Sequence, residues 1–180
     1  LPGAPALIVG SNGSIAWGFT NSYGDWVDHV RLELDPDDPN RYRTPDGWKT
    51  ITERVERIGI ADGTVDTLIV RDTIWGPRTA LVDSLPLVTR WVAQDPEALD
   101  LRLLDLMEIE SVDAALDLAP TCGIPHQNFV VAGADGRIGW TIIGRVPRRV
   151  GIDGTVPTRW ADGTRGWPGW LDPFEVPPHV

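Results

Sequence analysis

The sequence predicts an α+β fold in which strand outweighs helix. Two observations carry this. Short runs of alternating apolar and polar residues recur between Asn-Gly and Asp-Gly pairs along most of the chain, while helical spacing is confined to one stretch in the middle. Asn12-Gly13 is a hairpin dipeptide, because both residue types accept the positive φ of a tight turn. The run 14–20 then puts Ile15, Trp17 and Phe19 on one face, and 27–34 does the same with Val30, Leu32 and Leu34. Further strands are expected over 49–60, 64–72, 78–81, 87–92, 128–132 and 138–143, with Asp135-Gly136 joining the last two as a hairpin. Asp95 stands as an N-cap with Pro96 at the first helical position and Glu97 in the first turn; Leu99, Leu103, Leu106 and Met107 follow at helical spacing. Ser111 caps a second helix running to about Leu118, stopped by Pro120 and Gly123. From Gly144 onward, Gly, Pro and Trp make a loop-like tail. No repeat, linker or domain boundary shows, so the 180 residues are expected to form a single domain.

Composition narrows the function classes. The chain carries 26 acidic against 16 basic side chains, a net charge of −10, which repels phosphate backbones and argues against a nucleic-acid partner. A single cysteine, Cys122, rules out an internal disulfide, and with three scattered histidines it rules out a Cys/His zinc cluster. The longest apolar stretches, such as 6–10, are far too short to span a bilayer, and no signal peptide opens the chain. Nine tryptophans against three Phe and two Tyr are unusual. Spread along the chain, they fit core and rim filling; alternatively Trp160, Trp167 and Trp170 form a stacking platform in a non-catalytic module that binds carbohydrate or a partner.

Common catalytic templates are missing: there is no G-x-S-x-G elbow, glycine-rich phosphate loop, H-E-x-x-H or C-x-x-C. His29 and His126 are possible bases, although a lone histidine is more often structural. One constellation combines a strand, a bend at Gly24 and two carboxylates, Asp25 and Asp28. On a straight strand these point to opposite faces; around a bend they can converge, with the Val27 carbonyl between them, as hard oxygen ligands for Ca²⁺. Spacing alone favours two solvated carboxylates.

Five segments in order change those odds. The first runs from Gly10 to Asn21, ending Trp17-Gly18-Phe19-Thr20-Asn21, with Asp25 and Asp28 after it. The second is Thr73-Ile74-Trp75-Gly76-Pro77, and the third is Pro125-His126-Gln127-Asn128-Phe129 with Asp135-Gly136-Arg137. The last two are Gly144-Arg145-Val146-Pro147-Arg148-Arg149 and Trp167-Pro168-Gly169-Trp170. Together they resemble the penicillin acylase (penicillin amidase) family of N-terminal nucleophile hydrolases, over nearly the whole chain.

The resemblance implies part of a four-layer αββα sandwich and an amidohydrolase that cleaves linear amides. Penicillins, acyl-homoserine lactones or related N-acyl compounds are the substrates implied. In that family a serine freed by autoproteolysis attacks the amide, with its own amine as base. The oxyanion is held by one asparagine side chain and by one backbone N–H, which matches Asn21. Asp25, the Val27 carbonyl and Asp28 match ligands of a structural Ca²⁺, with a carbonyl near Thr155 added. Ile8, Val9 and Gln127 match acyl-pocket positions, plain core packing being the alternative for the first two. The family's Ser-Asn opening and its catalytic asparagine have no counterpart in these residues. The chain is therefore expected to be an internal piece of a β-subunit, inactive alone, whose partners are an α-subunit and the rest of the β-subunit. A scaffold that has lost its chemistry is a further alternative. Periplasmic or extracellular location is the family expectation, with the cytoplasm left open.

Overall fold

The computed structural model describes residues 6–79 and 85–176. In chain order the strands are β1 (Gly10–Ser11), β2 (Ile15–Asn21), β3 (Val27–Arg31), β4 (Arg41–Thr44), β5 (Gly47–Thr50), β6 (Thr52–Gly59) and β7 (Val65–Thr73). They continue with β8 (Gly76–Pro77), β9 (Leu87–Trp91), β10 (Gln127–Gly133), β11 (Ile138–Ile143), β12 (Pro147–Val150) and β13 (Gly166–Trp170); the α-helix is α1 (Val112–Leu118). Strand outweighs helix, as the alternating runs imply. Two compact units result: one from 6–26, 92–148 and 169–176, the other from 27–79, 85–91 and 149–168. Because the chain passes between them several times, no linker composition marks the boundary.

The first unit is built on an antiparallel sheet ordered β1-β2-β10-β11. Ile15 and Trp17 of β2, Phe129 and Val131 of β10 and Ile143 of β11 are buried in one cluster with Val112, Ala115 and Leu116 of α1. The opposite face leaves Val130 and Ile138 exposed. Gly139 lets the helix come close, since a Cβ there would lie 2.9 Å from both Leu116 and Val112 side-chain atoms. Ser111 caps α1 as expected, its Oγ accepting from the Ala114 N–H at 3.2 Å. The β10–β11 hairpin turns at Asp135-Gly136 with Gly136 at φ +88°.

The helix expected from Asp95 is absent. Short 3₁₀ turns occupy 92–94, 96–98 and 102–107, and Asp95 makes no capping bond. Asp100 supplies the physical reason. Its Oδ1 accepts from the N–H groups of Arg102 (3.0 Å) and Gly123 (2.8 Å), and its own N–H donates to Gly123 O (3.0 Å). Side-chain bonding of this kind competes with the helical ladder. Leu103 and Leu106 still reach the core, whereas Leu99 and Met107 are exposed.

In the second unit β3 pairs with β9, β4 with β5, and β6, β7 and β8 form a three-stranded sheet. The run expected over 49–60 is broken at Ile51, which turns inward beside Val30, Leu32, Tyr42, Val88 and Trp160. Of the run expected over 78–81, Arg78 bridges to Val88 and Thr79 donates to Leu87 O; Ala80 and Leu81 lie outside the described residues. The tail from Gly144 is not all loop: β12 and β13 pair within it. Proline and glycine in Gly166-Trp167-Pro168-Gly169-Trp170 conceal this strand from propensity reasoning. Trp160 is a core residue, and its ring lies 6.3 Å from Trp167 at 47°, so these two do not form a coplanar platform. Trp170 belongs to the first unit, where its Nε1 donates to Glu97 Oε2 at 2.8 Å.

Candidate functional site

The end of β2 is defined by hydrogen-bond parity. The Ala134 N–H donates to Ser14 O (2.9 Å) and the Gly133 N–H to Arg137 O (2.8 Å). An antiparallel strand alternates its partners, so even-numbered residues of β10 bond to β2 and odd-numbered ones to β11. Asn128 stands opposite Thr20, and Gln127 opposite Asn21. Thr20 therefore sits in a hydrogen-bonded pair and Asn21 does not. The Asn21 N–H points away from β10, toward the side where β1 lies. β1 pairs only as far as Gly10 opposite Trp17, so Asn21 lies beyond the edge it covers.

Three groups from neighbouring strands fix this position. The Asn128 Nδ2 donates to Asn21 O (2.9 Å) and Thr20 Oγ1 (3.1 Å), while its Oδ1 accepts from Trp140 Nε1 (3.1 Å). Sequence reasoning assigned Asn128 no role; its only signal was its place in the Pro125–Phe129 segment. Gln127 shares the sheet face of Asn21 by register, at a non-hydrogen-bonded pair where side chains come close. Ile8 and Val9 are 44% and 70% exposed, which removes core packing as their explanation.

Residues 22–26 continue from Asn21 without regular structure. A Cβ on Gly24 would meet the Trp26 ring at 1.9 Å, so only glycine fits. The Trp26 indole stacks on the His126 imidazole at 3.9 Å and 5°. His126 Nε2 lies 2.7 Å from Arg145 O, which as an acceptor fixes the tautomer protonated at Nε2. Burial pushes the His126 pKa down to about 4, against the opposing pull of that bond, so the ring is neutral at pH 7. Ser22 Oγ and Trp26 Nε1 are buried with no hydrogen-bond partner among the described residues. Cys122 is no nucleophile: burial first, then Asp100 and Asp105, push its thiol up to about 12.

Asp25 falls in the first unit and is exposed; Val27, Asp28 and Thr155 fall in the second. Asp28 is buried, and its Oδ2 accepts from Arg149 Nε (2.8 Å) and Trp167 Nε1 (2.5 Å). Thr155 tops an exposed turn, its N–H and Oγ1 donating to Asp153 Oδ1 at 3.0 and 2.8 Å. Among the described residues no three His, Cys, Asp or Glu side chains group closely enough to hold a metal. A hard cation at Asp28 would thus rely on backbone carbonyls and on the Oδ1 that Arg149 and Trp167 leave, beside a positive charge already in place. That donor set fits Ca²⁺ only in part.

Known proteins share this chain's pattern. The family described as penicillin amidase matches residues 1–180. Acyl-homoserine lactone acylase QuiP of Pseudomonas fluorescens is 30% identical over 98% of this chain and 23% of its own length. Penicillin G acylase of Escherichia coli is 29% identical over 98% of this chain and 21% of its own. The chain thus spans under a quarter of the curated relatives it matches. The crystal structure of a thermostable penicillin G acylase from Alcaligenes faecalis superposes with a TM-score of 0.81 at 24% identity, covering 98% of this chain and 32% of that one. The described residues accordingly share the strand-rich fold of an N-terminal nucleophile hydrolase, and the chain belongs to the penicillin amidase family.

Proposed function

We propose that this chain supplies one oxyanion donor, the Asn21 N–H, to an amidohydrolase that removes the acyl group from penicillins, acyl-homoserine lactones or related N-acyl compounds. The carrying observation is the orientation of that N–H, past the end of β1 and fixed by Asn128. An N-terminal serine and an asparagine from segments other than these 180 residues complete the chemistry. Ser22 Oγ and Trp26 Nε1 support the need for such segments, since a buried polar atom left unpaired costs about 1–3 kcal/mol. The α-subunit and the remainder of the β-subunit are the partners, and the 180-residue chain alone is inactive. Export to the periplasm or beyond suits the family; among the described residues no helix is long and apolar enough to cross a membrane.

In the complete enzyme, Asn21→Pro deletes the N–H and should lower kcat by roughly 10²–10³, whereas Asn21→Ala keeps the donor and most activity. Equal loss in both variants refutes the backbone role. Measurable hydrolysis of a phenylacetyl or fatty-acyl anilide by the 180-residue chain refutes its dependence on other segments.

Ca²⁺ bound through Asp25, the Val27 carbonyl, Asp28 and a carbonyl near Thr155 would be structural, tying the strand after Asn21 to the later loop. Calorimetric titration of the complete enzyme with Ca²⁺ should lose its signal in Asp25→Ala, an exposed position that keeps Asp28 intact. An unchanged isotherm removes Asp25 from the ligand set.

A further inference from the structure

The second unit contains an open recess of about 440 Å³, lined chiefly by Ile74, Trp75, Trp160, Trp167, Arg90 and Arg165. Its volume lies in the range of small-ligand sites. The aromatic wall is held by its own packing: Tyr42 against Trp75 at 5.8 Å, Trp75 edge-on to Trp160 at 6.3 Å, and Trp160 against Trp167 at 6.3 Å. Two of the indole N–H groups are already used, Trp160 Nε1 on Thr158 Oγ1 (2.9 Å) and Trp167 Nε1 on Asp28 Oδ2 (2.5 Å). These rings therefore offer carbon surface to a ligand. Charge comes from two guanidinium groups. Arg90 lies over the Trp167 ring at 5.2 Å, and Arg165 meets Asp162 only at 3.9 Å in an exposed pair of little strength.

The lining contains no carboxylate and no side-chain amide. A neutral sugar needs acceptors for its hydroxyls and finds none there. In a chain of net charge −10, a recess whose only ionised lining groups are arginines selects for an anion. We propose that this recess binds an aromatic carboxylate, its ring on the Trp75–Trp160–Trp167 wall and its carboxylate on Arg90 and Arg165. Planar guanidinium groups match a carboxylate through paired N–H donors. The site is separate from the Asn21 strand, which lies in the other unit, and does not depend on the hydrolase reading.

Phenylacetate is the probe, followed by tryptophan fluorescence and by ligand-observed NMR, with phenylacetamide and glucose as neutral controls. For a ligand of this size a Kd on the order of 1 mM is expected. Phenylacetate should bind roughly tenfold more tightly than phenylacetamide, and glucose should not compete. Arg165→Ala, on an exposed turn, should weaken phenylacetate roughly tenfold without changing the amide's affinity; Arg90→Gln should act in the same direction. Equal affinity for acid and amide overturns the proposal, as does tighter glucose binding. Phenylacetate binding that survives Arg165→Ala belongs elsewhere on the protein and overturns it equally.

Discussion

Acidification should destabilise the protein through His126 before any carboxylate is involved. The imidazole is buried against Trp26, and its pKa lies at about 4, below the ordinary value of 6.5. A group with a depressed basic pKa takes up its proton in the unfolded chain first. As the pH falls from about 6.5 to about 4, the unfolded state gains charge while the folded ring stays neutral, and stability is lost across that window. Above it this histidine contributes no pH dependence. The difference of about 2.5 pH units corresponds to about 3 kcal/mol at most. His126→Phe keeps a flat ring on Trp26 and removes the titration. It also loses the bond to Arg145 O, which lowers stability at every pH but leaves the slope alone. Urea unfolding followed by circular dichroism at pH 7 and pH 4.5 separates the two effects. Between these values the wild-type midpoint should fall by about 1 M or more beyond the fall seen in the variant. Carboxylates such as Asp113, held low by Arg137, titrate further down and are common to both proteins. Parallel pH curves for wild type and variant would refute the assignment of the acid sensitivity to His126.

The remaining predictions concern packing and reactivity. Gly139→Ala pushes a methyl to 2.9 Å from Leu116 and Val112 and should cost about 1–3 kcal/mol, read from the urea midpoint. Ser111→Ala removes the cap of α1 and should cost about 1 kcal/mol in the same assay; no change would mean that packing alone holds the helix. The Cys122 thiol should resist a thiol reagent at pH 8 in the native protein and react fully in urea, since burial lifts its pKa to about 12. Gly24→Ala should lower the activity of the complete enzyme more than its stability, because the clash with Trp26 falls on the segment leaving Asn21. A variant with full activity would show that residues 22–26 do not position the strand end.

What the sequence made legible follows from how local each cause is. Alternation placed β2, β3, β10 and β11, because a half-buried strand writes its own period of two. Ser111 capped its helix as expected because the cap and its donor are three residues apart. The helix from Asp95 failed because its competitor is remote: Asp100 reaches Gly123, a partner that periodicity cannot see. β13 escaped notice for a similar reason, since its pairing with β12 and the packing of Trp167 override unfavourable Gly and Pro propensities.

The site divides along the same line. Asn21 could be named from a motif, but its chemistry depends on which way one N–H points. That direction follows from a register shared by three strands more than a hundred residues apart in sequence. Had β2 slipped by one residue against β10, the Asn21 N–H would be spent inside the sheet and Thr20 would carry the outward one. The hydrophobic faces forbid that slip, since it would turn Ile15 and Trp17 out of the core against α1 and bring Ala16 and Gly18 in. The core of the first unit, rather than the asparagine side chain, thus determines where the oxyanion donor stands. Core substitutions at Trp17 or Phe129 should therefore reach catalysis as well as stability, whereas Asn21→Ala should reach neither strongly.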